Sequence, residues 1–279
     1  MNHLLAPVLF GLAASLCWGS GDFSGGLASR RANTSSVVLA TYAVGFVLLV
    51  TLALIWNEPF PAPVDLLWGG LAGVAGVLGL LSFYSALSTG KMGIAAPVSA
   101  VLTAALPVLF SAFTTGLPSL LQLAGFMLAL LAIGLISRPE ETRGPQKGIG
   151  LAVLAGCGFG CFFILISRVH PAAIFWPLAA ARFTSVFLLL ILMRLRRQQI
   201  PPGMTAAPLV VLAGILDAIG NAFFVLAAHS GRLDVAAILS SLYPAATVLL
   251  AALVLRERVT RVQGIGVLLA LLAIPLIAA

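Results

Sequence analysis

The chain has 279 residues, 61% of them hydrophobic and only 8% charged, with a mean hydropathy of +1.14. A soluble globular domain carries about 25% charged residues, so this composition excludes one and identifies an integral membrane protein. The net charge of +7 sits in short basic groups between apolar runs, which is the pattern of topology signals and not of a nucleic-acid footprint.

A membrane-crossing helix needs about 20 apolar residues. Such runs are predicted over 4–25, 36–56, 66–89, 92–115, 119–136, 148–167, 173–193, 208–228, 235–255 and 262–278. The start, Met1-Asn2-His3, lacks the basic segment of a cleavable signal, so the first run is expected to be retained. Turn formers fill several connections, as in Asn57-Glu58-Pro59 and Ile200-Pro201-Pro202-Gly203. Cys17, Cys157 and Cys161 all fall inside apolar runs, where an odd number gives no disulfide framework. Cys157 and Cys161 share a helix face without a His or carboxylate beside them, so no metal site is expected.

The second half repeats the first. Residues 231–274 align without a gap on 90–133, 141 positions earlier, with 15 of 44 positions identical and Leu-Ala-Leu-Leu-Ala-Ile closing both copies. Earlier in each copy the match is weaker. There Gly11-Leu-Ala aligns with Gly150-Leu-Ala at an offset of 139, and a two-residue slip then restores 141. Five helices per copy is an odd number, so the second copy enters the membrane upside down. The expected fold is thus all-α, ten transmembrane helices as two inverted five-helix repeats. Residues 4–137 form the first, 138–147 a cytoplasmic linker and 148–278 the second. With the N-terminus outside, cytoplasmic loops hold twelve Lys and Arg and outer loops two, which predicts extracytoplasmic termini and a multi-pass protein of the inner membrane.

Ionisable groups inside a span cost at least about 2.5–3.5 kcal/mol on insertion scales and need a partner or a role. Arg182 and Asp217 sit near the middle of the seventh and eighth runs, with Asn221 one turn beyond Asp217. Two readings stay open: a structural ion pair, or charges that face a substrate, with Asp217 also able to carry a proton. Asp22 lies about 27 Å along its helix by 1.5 Å per residue. It is expected near the cytoplasmic interface, either paired with Arg30 or Arg31 or carrying a coupling proton. Trp18, Tyr42, Tyr84, Ser240, Ser241 and Tyr243 are candidate pathway residues. Pro97 and Pro244, in the repeated fourth helix, mark a candidate hinge. His229 and Asp234 are assigned to a solvated loop. Gly19-Ser20-Gly21-Asp22 spells the GxGD pattern of intramembrane aspartyl proteases, but the Tyr-Asp pair and Pro-Ala-Leu element those enzymes need are missing. No P-loop, HExxH or GxSxG is present either, so no enzyme and no cofactor is expected.

Trp18-Gly-Ser, Arg182, Leu242-Tyr-Pro, Glu257 and Gln263-Gly-Ile-Gly, set in two five-helix copies, resemble the EamA family of the drug/metabolite transporter superfamily. The resemblance covers nearly the whole chain. It implies ten helices around a central cavity, alternating access, and transport of small metabolites, often amino acids and often outward. Three features depart from it. Glu257 is matched by Gly116 and Arg182 by Thr41, Tyr42 or Ala43, none of them charged; Asp22 stands where an uncharged residue is more usual; and similar proteins mostly have cytoplasmic termini, whereas the twelve-to-two basic count places them outside. The expected partners are a small-molecule substrate, a proton and the lipid bilayer, in a monomer or a homodimer. The competing reading is a non-transporting scaffold, lipid-handling protein or channel with a structural Arg182–Asp217 pair.

Overall fold

The computed structural model describes residues 5–29, 32–89, 92–137, 149–197, 207–256 and 259–278, without the side chains of 34, 84–89 and 92–97. All regular structure among them is α-helical: α1 Leu5–Ser29, α2 Thr34–Ile55, α3 Pro63–Thr89, α4 Met92–Thr114, α5 Leu120–Ile136, α6 Ile149–Ile166, α7 Phe175–Leu195, α8 Ala207–Ser230, α9 Leu233–Ser240, α10 Tyr243–Val254 and α11 Arg261–Ile277. Six helical stretches are long and apolar enough to cross a bilayer, counting α9 and α10 as one, and α4, α5 and α11 contain shorter apolar helices. Leucines such as Leu9, Leu16, Leu109, Leu131 and Leu268 are exposed, while alanines and glycines fill the contacts between helices. Membrane helices distribute their residues this way because small side chains let backbones approach closely.

Local chemistry repeats between copies. Ser119 accepts a hydrogen bond from Gln122 N and Gln122 returns one to Ser119 N, starting α5. Thr260 and Gln263, 141 positions on, make the same capping box at the start of α11.

The packing relates the copies by a pseudo-two-fold axis. Exchanging α1 for α6, α2 for α7, α3 for α8, α4 for α9–α10 and α5 for α11 maps the helix contacts onto one another. The α1–α8 contact becomes α6–α3, α2–α8 becomes α7–α3, and α1–α10 becomes α6–α4, while α2–α7 and α5–α11 map onto themselves. Individual contacts follow the same rule. A Cβ at Gly125 would stand 2.7 Å from Ile277, and one at Gly266 would stand 2.8 Å from Ile136.

These contacts correct the sequence alignment of the early helices. Gly79 packs on Phe159 as Gly220 packs on Trp18, and Gly160 packs on Leu106 as Gly19 packs on Thr247. All four correspondences are 141 positions apart, so α1 and α6 match at 141 and not at 139. In α2 and α7 the register is 140. Gly73 packs on the backbone of Ala181 as Gly214 does on Thr41, and Ser185 Oγ donates to Gly73 O at 3.1 Å where Gly45 faces Gly214 O. The structural counterpart of Arg182 is therefore Tyr42, and that of Asp22 is Phe163.

The fourth helix of the second copy departs from the expected single run over 235–255. It breaks between Ser240 and Tyr243 into α9 and α10, whereas α4 continues unbroken through Pro97 and Pro107. The cause is local. Pro244 has no N–H to give to the Ser240 carbonyl four residues back. Its counterpart Thr103 keeps that N–H and also donates its hydroxyl to Ser99 O at 2.8 Å.

One end of the bundle is joined by polar staples between the copies. Glu58, after α2, accepts hydrogen bonds from the N–H groups of Ile174, Phe175 and Trp176 at the start of α7, at 2.9–3.1 Å. Trp176 Nε1 donates back to Glu58 O, and Asp65 accepts from His170 N. A carboxylate suits a helix start because it satisfies orphan donors and complements the dipole. Asp234, assigned above to a solvated loop, is fully buried at the start of α9. Arg232 grips both its oxygens and donates to Gly116 O at 2.7 Å. Burial of that carboxylate is tolerated because the guanidinium compensates it.

Candidate functional site

Arg182 lies in the middle of α7, 6% exposed. Its Nη2 stands 2.6 Å from Asp217 Oδ2 on α8, a contact that is ionic without the alignment of a hydrogen bond. Asn221, one turn on, donates from Nδ2 to the Asp217 carbonyl at 2.6 Å and reaches Asp217 Oδ1 at 3.4 Å. The guanidinium carbon of Arg182 lies 4.4 Å from the centroid of the Tyr42 ring, a cation–π contact. Gly45, one turn beyond Tyr42, lies beside this arrangement, where a Cβ would meet Arg182 Nε at an ordinary contact distance of 3.8 Å. A charge and the ring that matches it in the repeat thus meet face to face on the pseudo-two-fold axis.

Asp22 joins the group from α1. Its carboxylate lies within electrostatic range of Asp217, Tyr42 and Tyr243. On the α1 surface it follows Gly11, Ser15 and Trp18 at helical spacing, a face whose first two members are buried. Leu9 and Leu16, on the opposite side, point outward at 63% and 61% exposure. Asp22 and Gly26 are nevertheless open, so the inner face of α1 is closed at its start and opens toward its end. The start of α1 packs against the α8–α9 turn, with Pro7 on Gly231, at the stapled end. Asp22 and Gly26 therefore lie exposed toward the opposite end of the bundle.

The structure thus brings Arg182, Asp217, Asn221, Tyr42, Tyr243 and Asp22 into one neighbourhood. Trp18 borders it, stacked on Phe163 at 5.4 Å, with Phe163 on Phe224 at 4.3 Å. Ser240 Oγ makes a long 3.4 Å contact to Gly11 O, and Ser241 Oγ is buried without a partner among the described residues at the α9–α10 break. The side chain of Tyr84, the arginines Arg30 and Arg31, and Glu257 lie outside the described residues. Glu58 and Asp65 carry staples and had no local signal, since their partners are more than 100 positions away, whereas Arg232 holds Asp234 only two positions on as well as the distant Gly116 carbonyl. The cysteines are free, and no cluster of His, Cys, Asp and Glu among the described residues has the makings of a metal site.

Among solved structures, one crystal structure superposes with a TM-score of 0.79 over 97% of this chain and 95% of its own, at 19% identity, which establishes a shared fold. A search of curated proteins finds no match. The EamA-like transporter family model matches residues 5–138 and again 146–279, the same two copies that the packing relates, and the chain belongs to that family.

Proposed function

We propose that the protein is a secondary transporter that exports a small metabolite, such as an amino acid or a related compound, across the inner membrane by alternating access. The six long apolar stretches and the shorter apolar helices of α4, α5 and α11 support this, and with α1 they make the ten crossings we infer. The carrying observation is the Arg182–Asp217 pair, set mid-span on the axis between two inverted copies, where inverted-repeat transporters bind substrate. A purely structural pair would not need Asp217 to keep a quarter of its side-chain surface exposed, with the exposed Asp22 nearby. Both termini lie outside by the basic-loop count, so the stapled end is extracytoplasmic and Asp22 lies toward the cytoplasmic end.

Flux into proteoliposomes from a panel of small metabolites tests the transport role. The wild type is expected to give saturable, gradient-driven flux, and Arg182→Leu at least a hundredfold less with equal membrane content. Normal flux in that variant would remove the site from the mechanism. Orientation is read by a fused reporter that is active only in the cytoplasm. It should stay dark at either terminus.

A further inference from the structure

We infer that Glu58 is the latch of a gate at the stapled end. Its carboxylate caps a helix of the other copy only while that end is shut, and so biases the molecule toward the shut state. This rests on the transport reading above and adds what sets its resting conformation.

The first N–H groups of a helix have no partner within it. At α7 the chain offers none nearby, because Ile174 at the N-cap is apolar and makes no side-chain cap bond. Glu58 of the first copy takes that place, accepting from the N–H groups of Ile174, Phe175 and Trp176 with its two oxygens. Trp56 and Phe60, on either side of Glu58, lie against Phe175 and Trp176 with ring centroids 5.9 and 5.3 Å apart. Helix α2, the counterpart of α7, is capped from within. Its own Asn33 accepts from Ser35 N at 2.9 Å. The two helices end alike, with Asn57 and Arg197, 140 positions apart, at φ 49° and 51°. The next residue is Glu58 in one copy and the uncharged Gln198, outside the described residues, in the other. The two ends of the bundle are therefore unequal. Parting α2 from α7 at the stapled end uncaps α7, whereas parting them at the opposite end leaves α2 with the cap it carries itself.

The latch closes off the charged pair. Helices α2 and α7 meet mid-span, where Arg182 lies over Tyr42 and Phe46 faces Phe183 at 6.0 Å. Ala179 lies one turn before Arg182 on the same helix face, between that contact and the capped first turn. It is 2% exposed, so the approach to Arg182 along this face is shut. Opening it requires the three N–H groups to leave Glu58. A contact made in one state alone shifts the balance toward that state by its full net worth, which for a charged helix cap is about tenfold.

The modification rate of a thiol at position 179 reads how often this end opens. Ala179→Cys is made in the full chain with Cys17, Cys157 and Cys161 changed to alanine. The purified protein is treated in detergent with a charged methanethiosulfonate. Adding Glu58→Ala should raise the rate about tenfold in protein that is equally monodisperse. Adding Ile174→Asn as well gives α7 a cap of its own without a bond between the copies. Melting temperature should then recover while the labelling rate stays raised. An unchanged rate in Glu58→Ala overturns the inference. So does a return to the slow rate with Ile174→Asn, which would make Glu58 a structural cap and no latch. Wild-type flux separates the two readings. An unchanged rate beside saturable flux removes the latch alone, and no flux of any solute removes the transport reading.

Discussion

Arg182 is held by two unlike partners, a carboxylate at 2.6 Å and an aromatic face at 4.4 Å. Removing either member of a buried pair strands the other charge, at a cost of about 3–5 kcal/mol when burial is complete. Asp217 keeps a quarter of its side-chain surface exposed, so about 2 kcal/mol is the expected loss for Arg182→Leu or Asp217→Leu alone. The double variant should lose less than the sum of the two, as coupled neighbours do. Detergent melting curves measure this. Flux should separate structure from function, because the double variant regains stability without regaining transport. This pair was legible in the sequence because the bilayer makes every ionisable residue conspicuous. Glu58 and Asp65 were not. A carboxylate in a polar turn has no cost that demands explanation, and its role appears only when the fold brings the start of α7 to it.

At the scale of elements, the clearest difference between the copies is the α9–α10 break. The sequence shows Pro97 and Pro107 in one copy and Pro244 in the other, and proline content alone does not say which helix parts. What differs is the residue at the break itself: Thr103 gives the Ser99 carbonyl both its N–H and its hydroxyl, whereas Pro244, at the matching position, gives the Ser240 carbonyl neither. Pro244→Ala is expected to close the break into one continuous helix. Amide exchange between residues 240 and 246 should slow at least tenfold, and flux should fall several-fold if the break flexes during transport. Unchanged exchange would place the cause of the break elsewhere, in the packing of α1 through the Thr247 hydroxyl on Gly19 O. The five-helix copy itself was readable from the 141-residue repeat and the apolar runs. Its register in α1 and α2 was not, because Gly-Leu-Ala strings recur by chance in so apolar a chain, and only contacts such as Gly79–Phe159 against Gly220–Trp18 fix it.

At the scale of the whole molecule, the pseudo-two-fold axis passes where Tyr42 meets Arg182. In a dimer of two identical chains, a residue on such an axis faces its own copy. An arginine there would confront an arginine. Two like charges about 4 Å apart repel by about 4 kcal/mol at an effective dielectric of about 20. Tyr42→Arg rebuilds that confrontation and should lower the melting temperature far more than Tyr42→Gln, which removes the ring without adding charge. An ancestor made of two separate copies could therefore place a ring against a ring on the axis, but not a cation against a ring. Joining the copies in one chain let the matched positions change independently. The mid-span charge is chemistry that became available only once the molecule stopped being its own mirror.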